Sequence, residues 1–323
     1  MKENQVRILV LIIGYVALVT GSGCGTDIPT ASSGTNRNDD ACKLNINLSG
    51  SLQNPAFSPD GNSIVFTRFR NGYNEGVSDL FIYNLQTGEL KTLVSEGSSN
   101  VNLPGSVWNG TSNSIVFSSE RDPHDEIYSI PDTGSTGDEF QLTSRQNKQS
   151  FEPSFSPDGQ WIVFESHNID VADDGVVTKY KIDGSSGYVN LTSANDNCKQ
   201  PNWSPAGNRI LYQRAAGGLW AIWTMDTDGG NNVMVTSSDA NSTDAVFSFD
   251  GQWIIYSSEN SSVEIANIYR IPSGGGTASR ITNYSGYDGA PSISPDGSKI
   301  AFESTDVDPD ESAGTAIWII DIQ

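Results

Sequence analysis

From about residue 44 to the C-terminus, short apolar runs alternate with polar stretches rich in Gly, Asn, Asp and Ser, and the alternation recurs six times. The most regular runs are NSIVFT from Asn62, NSIVFS from Asn113, QWIVFE from Gln160, NRILYQ from Asn208, QWIIYS from Gln252 and SKIAFE from Ser298. Dense in β-branched and aromatic residues and bounded by turn formers, they predict strands buried on both faces. A marker stands immediately before each run. It reads FSPDG at Phe57 to Gly61 and at Phe155 to Gly159, WSPAG at Trp203 to Gly207, FSFDG at Phe247 to Gly251, ISPDG at Ile293 to Gly297, and a degenerate WNGTS at Trp108 to Ser112. Pro presets φ for the first corner of a tight turn, Asp bonds back to the backbone, and Gly accepts a positive φ at the exit. The marker therefore predicts a turn that joins an inner strand to the run after it.

A third strand is predicted in each unit: DLFIYNL from Asp79, EIYSI from Glu126, TKYKID from Thr178, LWAIWTMD from Leu219, NIYRIP from Asn267 and AIWIID from Ala316. A fourth, outer strand follows in five units, as KTLV from Lys91, QLTS from Gln141, VNLTS from Val189, NVMVTS from Asn232 and SRITN from Ser279. Successive markers lie 51, 47, 48, 44 and 46 residues apart. Four short antiparallel strands at that period, repeated radially, predict an all-β fold, a six-bladed β-propeller with four-stranded antiparallel blades. The sixth unit has no outer strand of its own, whereas NINLS, Asn45 to Ser49, carries the outer-strand pattern and precedes the first marker. That segment is expected to complete the last blade and close the ring, leaving no sheet edge exposed there.

The recurrent P-x-F/W-S-P-D-G-x-x-I-x-F/Y signature resembles the WD-like propeller repeats of the TolB family of periplasmic proteins. Five of the six copies match it well, over residues 44 to 323. The resemblance implies a propeller used as a protein-docking platform in the cell envelope, while the fold by itself assigns no single function. TolB carries an α/β domain ahead of its propeller, for which this chain is expected to have no room. Peptidases of the prolyl oligopeptidase kind are similar in their propeller but keep their catalytic residues in an attached α/β domain, and propeller lyases of pectic oligosaccharides gather several histidines around a metal.

The N-terminus places Lys2 and Arg7 ahead of an apolar run from Ile8 to Val19, with Gly21, Ser22 and Gly23 directly before Cys24. This is an export-signal pattern, and its apolar run is too short for a helix spanning a bilayer of about 30 Å. Residues 1–23 are read as a signal peptide, 24–43 as a flexible tether poor in apolar residues, and 44–323 as the propeller. The position of Cys24 resembles the lipobox of bacterial lipoproteins and implies lipidation there, although Gly21 replaces the usual Leu; ordinary signal-peptidase cleavage is the alternative. Gly25 after the cysteine resembles the signal for release to the outer membrane. Cys42 and Cys198 fall on different units and are expected as unpaired thiols. Lys and Arg number 18 against 39 Asp and Glu, a net charge of -21, which repels nucleic acid and anionic headgroups. Membrane contact is thus expected only through the lipid anchor, and nucleic acid is excluded as a partner.

No G-x-S-x-G elbow, H-E-x-x-H helix or G-K-[ST] loop occurs, so no catalytic residues are assigned and an enzyme is not expected. His124 and His167 are read as solvated loop residues. Asp306, Asp308, Asp310 and Glu311 offer alternating oxygen ligands of the kind calcium takes, but Glu311 stands where an EF-hand loop needs Gly and Ile317 where it needs Glu. Asp170, Asp173 and Asp174 form a similar cluster; calcium aside, no cofactor is expected. The seven tryptophans recur at framework positions and are read as packing between blades. What varies is the residue three before the first residue of each marker, usually followed by Pro and expected near the mouth of the central channel: Asn54, Gly105, Glu152, Gln200, Asp244 and Ala290. Its carboxylates suit a peptide or basic segment. The sequence thus predicts an exported, monomeric, lipid-anchored envelope protein, facing the periplasm from the outer membrane, that binds another envelope protein or a peptide. A glycan-binding or polysaccharide-processing propeller, or an accessory of an envelope peptidase, is the alternative.

Overall fold

A computed structural model describes residues 28, 30–33, 37–98, 100–102, 107–171, 173–259, 265–305 and 314–322. Its strands form six antiparallel sheets in which the predicted first, second, third and outer strands are hydrogen-bonded neighbours, and consecutive sheets pack inner strand against inner strand around a channel. The first blade runs Ser51–Phe57, Ser63–Phe69, Ser78–Asn84 and Leu90–Val94. In the second, with the degenerate marker, the inner position holds two short strands, Val101–Asn102 and Trp108–Asn109, both paired with Ser114–Ser119. Each second strand buries an aromatic at one register: Phe66, Phe117, Phe164, Tyr212, Tyr256 and Phe302, all at most 4% exposed. Truncating one to Ala would cost about 3–5 kcal/mol.

The marker turns are built as expected, with one addition. Ser58 Oγ donates to Asp60 Oδ1 at 2.6 Å and accepts from the Ser63 amide, while Asp60 Oδ1 also accepts from the Asn62 amide. The same set recurs at Ser156, Ser248 and Ser294 with Asp158, Asp250 and Asp296. Serine hydrogen bonds, foremost, hold these four carboxyls below their ordinary range.

The N-terminal segment closes the ring, but with a strand upstream of the predicted one. Cys42–Leu44 pairs with the third strand of the last blade, Ala316–Asp321, in the register Cys42↔Ile319 and Lys43↔Trp318. Asn45 to Ser49 forms no strand: Ile46 and Leu48 each donate to the carbonyl two residues back and pack onto the core between the last and first blades. Their apolar alternation is satisfied by that packing instead of by a ladder. The expected tether is structured where it is described, for Thr30–Ser33 pairs with Cys42–Leu44 as a fifth strand. Cys42 is disulfide-bonded, contrary to the unpaired thiol expected, and its partner lies outside the described residues; Cys198 is a free, buried thiol.

Arg37, also in that segment, has a side chain only 1% exposed and pairs with Asp39 at 2.9 Å and with Asp288 at 2.7 Å. Its guanidinium also lies 4.8 Å from the ring centre of Trp318 and 4.9 Å from that of Tyr284. Removing one partner of a buried pair strands the other, typically at about 3–5 kcal/mol. Arg37→Ala should therefore lower the urea midpoint by that much stability, whereas Arg209→Ala, at the more exposed pair with Asp226, should cost less than about 1 kcal/mol.

Candidate functional site

Five of the inner strands carry a bulge at the variable position. In the first, third, fourth, fifth and sixth blades the ladder skips two residues against one, as between Gln53 and Ala56 or between Thr243 and Val246. The residue at the skip is left-handed in every case: Asn54 at φ 52, Glu152 at 50, Gln200 at 48, Asp244 at 53 and Ala290 at 45. Non-glycine residues held there cost roughly 1–3 kcal/mol each and persist only where the surroundings enforce it. Here the reason is visible in the hydrogen bonds. The bulge turns the amide off the ladder, and the blade before it supplies the acceptor.

Asn54 donates its amide to Glu303 Oε2 at 2.9 Å, and Gln200 donates its own to Glu165 Oε2 at 3.3 Å. Asp244 donates its amide to Gln200 Oε1 at 2.9 Å, and the Ala290 amide goes in turn to the Asp244 carboxylate. Gln200 Nε2 links Glu152 Oε1 at 3.2 Å and Asp244 Oδ1 at 2.8 Å. Three of the predicted residues, Glu152, Gln200 and Asp244, are thus hydrogen-bonded into one network, while Asn54 joins Glu303 and Asn102. All sit midway along the inner strands; Glu152 forms part of the floor of a cavity, and Asn54, Gln200 and Asp244 line a smaller pocket with Asn202. Gly105 lies outside the described residues.

Glu165 and Glu303 were not singled out from the sequence, although a signal existed. Every second-strand run ends on a polar residue in phase with the buried ones: Thr67, Ser118, Glu165, Gln213, Ser257 and Glu303, all at most 6% exposed. His167 was misjudged. It is 3% exposed on the strand Trp161–Asn168, with Nε2 against Glu165 and Nδ1 3.1 Å from Asp174 Oδ1. Burial, and then the nearby Lys199, lower its pKa.

A cavity of about 320 Å³ opens over this floor, lined by Glu120, Asp125, Glu152 and Glu165 with Lys199 and Asn102 among the other walls. Tyr73 and Tyr287 stand edge-to-face nearby, with their hydroxyls 3.0 and 3.3 Å from Glu303 Oε1. Desolvation pushes Glu152 well above the carboxylate range, and the adjacent Glu165 adds to the effect. Glu152 Oε2 has no hydrogen-bond acceptor role filled. Asp125 is raised to about 7 by burial and by Glu120, and Glu303 to about 7 by burial, against the opposing Asn54 amide. The site is thus a set of desolvated carboxyl groups short of positive partners, suited to a cationic group.

No metal cluster accompanies it. Asp174 is engaged by His167 and Asn168, and among the described residues no group of His, Cys, Asp and Glu is placed to hold an ion. Asp306, Asp308, Asp310 and Glu311 lie outside the described residues.

The family model described as TolB beta propeller domain matches residues 38–231 and 183–313. The chain belongs to the TolB β-propeller family. A curated relative, the Tol-Pal system protein TolB of Francisella tularensis subsp. holarctica, is 28% identical over 194 residues, which is 60% of this chain and 42% of that protein. The chain therefore spans less than half the length of the curated TolB relatives it matches. The crystal structure of TolB from Acinetobacter baumannii matches with a TM-score of 0.64 at 18% identity, covering 82% of this chain and 65% of that one. An oligogalacturonate lyase from Vibrio parahaemolyticus matches with a TM-score of 0.57 at 12% identity, covering 92% and 98%. At such identities both structures establish the propeller alone, and the second shows that TolB-like geometry is shared with an enzyme.

A carboxyl whose folded pKa lies above its unfolded value adds stability that is complete below the unfolded value and is lost as pH rises through the folded one. For Glu303 that window runs from about 4.5 to about 7. Urea unfolding should therefore show stability falling across it, by on the order of 3 kcal/mol for this group. Glu303→Gln, which keeps an acceptor for the Asn54 amide, should flatten the profile.

Proposed function

We propose that this chain is an exported, non-catalytic envelope protein that binds a basic segment of another envelope protein in the channel cavity. The observation that carries the reading is the pair of desolvated carboxyl groups Glu152 and Glu165, one on a strained backbone position and one on a buried strand, which with Glu120 and Asp125 line a cavity of about 320 Å³, while Asp244 is joined to Glu152 behind it through Gln200. Strain and buried charge retained at one place are costs that packing does not require. A lysine or arginine entering there finds acceptors already oriented. Kinship to TolB, which by name belongs to a Tol-Pal system, supports an envelope partner.

The test is a crosslinking pull-down from envelope extract with the intact protein and with Glu152→Lys plus Asp244→Lys. One protein should be enriched by the intact form and reduced at least tenfold by the double change. Equal recovery by both forms would overturn the reading.

The lipid anchor at Cys24 is part of the same proposal, and its chemistry is exclusive. A sulfur in a thioether to diacylglycerol cannot also pair with Cys42, so in the lipidated form the disulfide at Cys42 is open. Mass spectrometry of the envelope form should show a diacylglyceryl-modified Cys24 as the mature N-terminus with Cys42 open to alkylation. A Cys24–Cys42 crosslinked peptide from that form would remove the anchor.

A further inference from the structure

The other mouth of the channel, on the face of the marker turns, is a separate funnel of about 320 Å³ with none of the carboxylates above in its walls. Its lining is mostly apolar, with Phe57, Phe155, Trp203 and Phe247 beneath a rim of turn prolines. Two polar groups in this lining are buried without partners: Asn202 Oδ1 and Trp203 Nε1, on residues 5% and 8% exposed. Buried polar groups are nearly always paired. In the second blade the equivalent indole is paired, since Trp108 donates to the Ala56 carbonyl of the preceding blade at 3.2 Å.

The rim adds two further features. Phe249 replaces the turn proline of the fifth blade and is 60% exposed, while three blades away, directly across the ring, Gly110 takes the corresponding place in the second. The proline rim is therefore interrupted at opposite points, by a projecting aromatic and by a gap. Around it stand Asp60, Asp158, Asp250 and Asp296, exposed and kept ionised by their serine and amide donors. The nearest cations, Lys181 and Lys299, already pair with Asp183 and Asp321.

We propose that this funnel is a second docking site, which takes an extended peptide carrying a bulky apolar side chain flanked by basic residues. The apolar side chain fills the funnel against Phe249, and the flanking cations meet the aspartate ring. The site is independent of the cavity at the other mouth.

The probe is a fluorescein-labelled peptide of sequence KKFLKK, with EEFLEE and KKSSKK as controls, followed by anisotropy. KKFLKK should bind at least tenfold more tightly than KKSSKK, EEFLEE should not bind, and Phe249→Ser should abolish that preference without moving the thermal midpoint, because the ring is exposed. Glu152→Gln should keep the preference for KKFLKK over KKSSKK. No preference for KKFLKK, the same preference in Phe249→Ser, or its loss with Glu152→Gln would each overturn the proposal. So would Phe249-dependent flotation with phosphatidylcholine vesicles in place of peptide binding, since the occupant would then be a lipid surface.

Discussion

The seam between the last blade and the first is the constraint on which the ring depends. A radial repeat has a first and a final copy, and unless these are joined the sheet edges and the faces between them remain open. The junction is made by pairing Cys42–Leu44 with Ala316–Asp321, segments separated by nearly the whole chain. The entropy of closing so long a loop grows only slowly with length, so a short ladder backed by burial suffices. Arg37 supplies part of the backing by bringing a charge from the N-terminal segment to a fully buried aspartate of the sixth blade, Asp288. The pair is specific in a way that apolar packing is not, because a buried guanidinium requires carboxylates placed to meet it.

Inside the ring the same logic of blade-to-blade donation is used for a different end. In four of the five bulged strands the bulge residue is followed by a proline, which cannot donate into a ladder, and in all five it sits in the left-handed region, which turns its amide off the ladder. Acceptors from the preceding blade are then required, and the chain meets the requirement with acidic or amide side chains at Glu303, Glu165, Gln200 and Asp244. Structure and charge are thereby tied together: the groups that hold the bulges are also those that give the channel its character.

The fold was legible because its signals are local and repeated. A turn of fixed chemistry followed by a buried strand needs only neighbouring residues to be read, and six copies remove ambiguity of period. The closing strand was misplaced because Ile46 and Leu48 alternate as a half-buried strand would, and alternation does not distinguish pairing from packing. The ring positions were found because they vary on a fixed frame, but their depth was not, since the bulge that sinks them is a tertiary consequence. Glu165, Glu303 and His167 were hidden for a related reason. A polar residue at the end of an apolar run looks like the strand's exit into solvent, and only the neighbouring blade shows that the strand continues in a buried setting. Arg37 gave no sign at all, because its partner is 251 residues away.

The position of the seam has a mechanical consequence. Thr30–Ser33 pairs with Cys42–Leu44, which in turn pairs with the final strand, so tension applied upstream of these residues passes through the outermost strands of the sixth blade before reaching any other. A load on the leading end is thus borne at the junction of the ring, in series with the Arg37 contacts, while the cavity floor, carried on inner strands, is shielded from it. Rupture would begin by peeling the N-terminal strands away, converting a closed ring into an open arc with one bare edge.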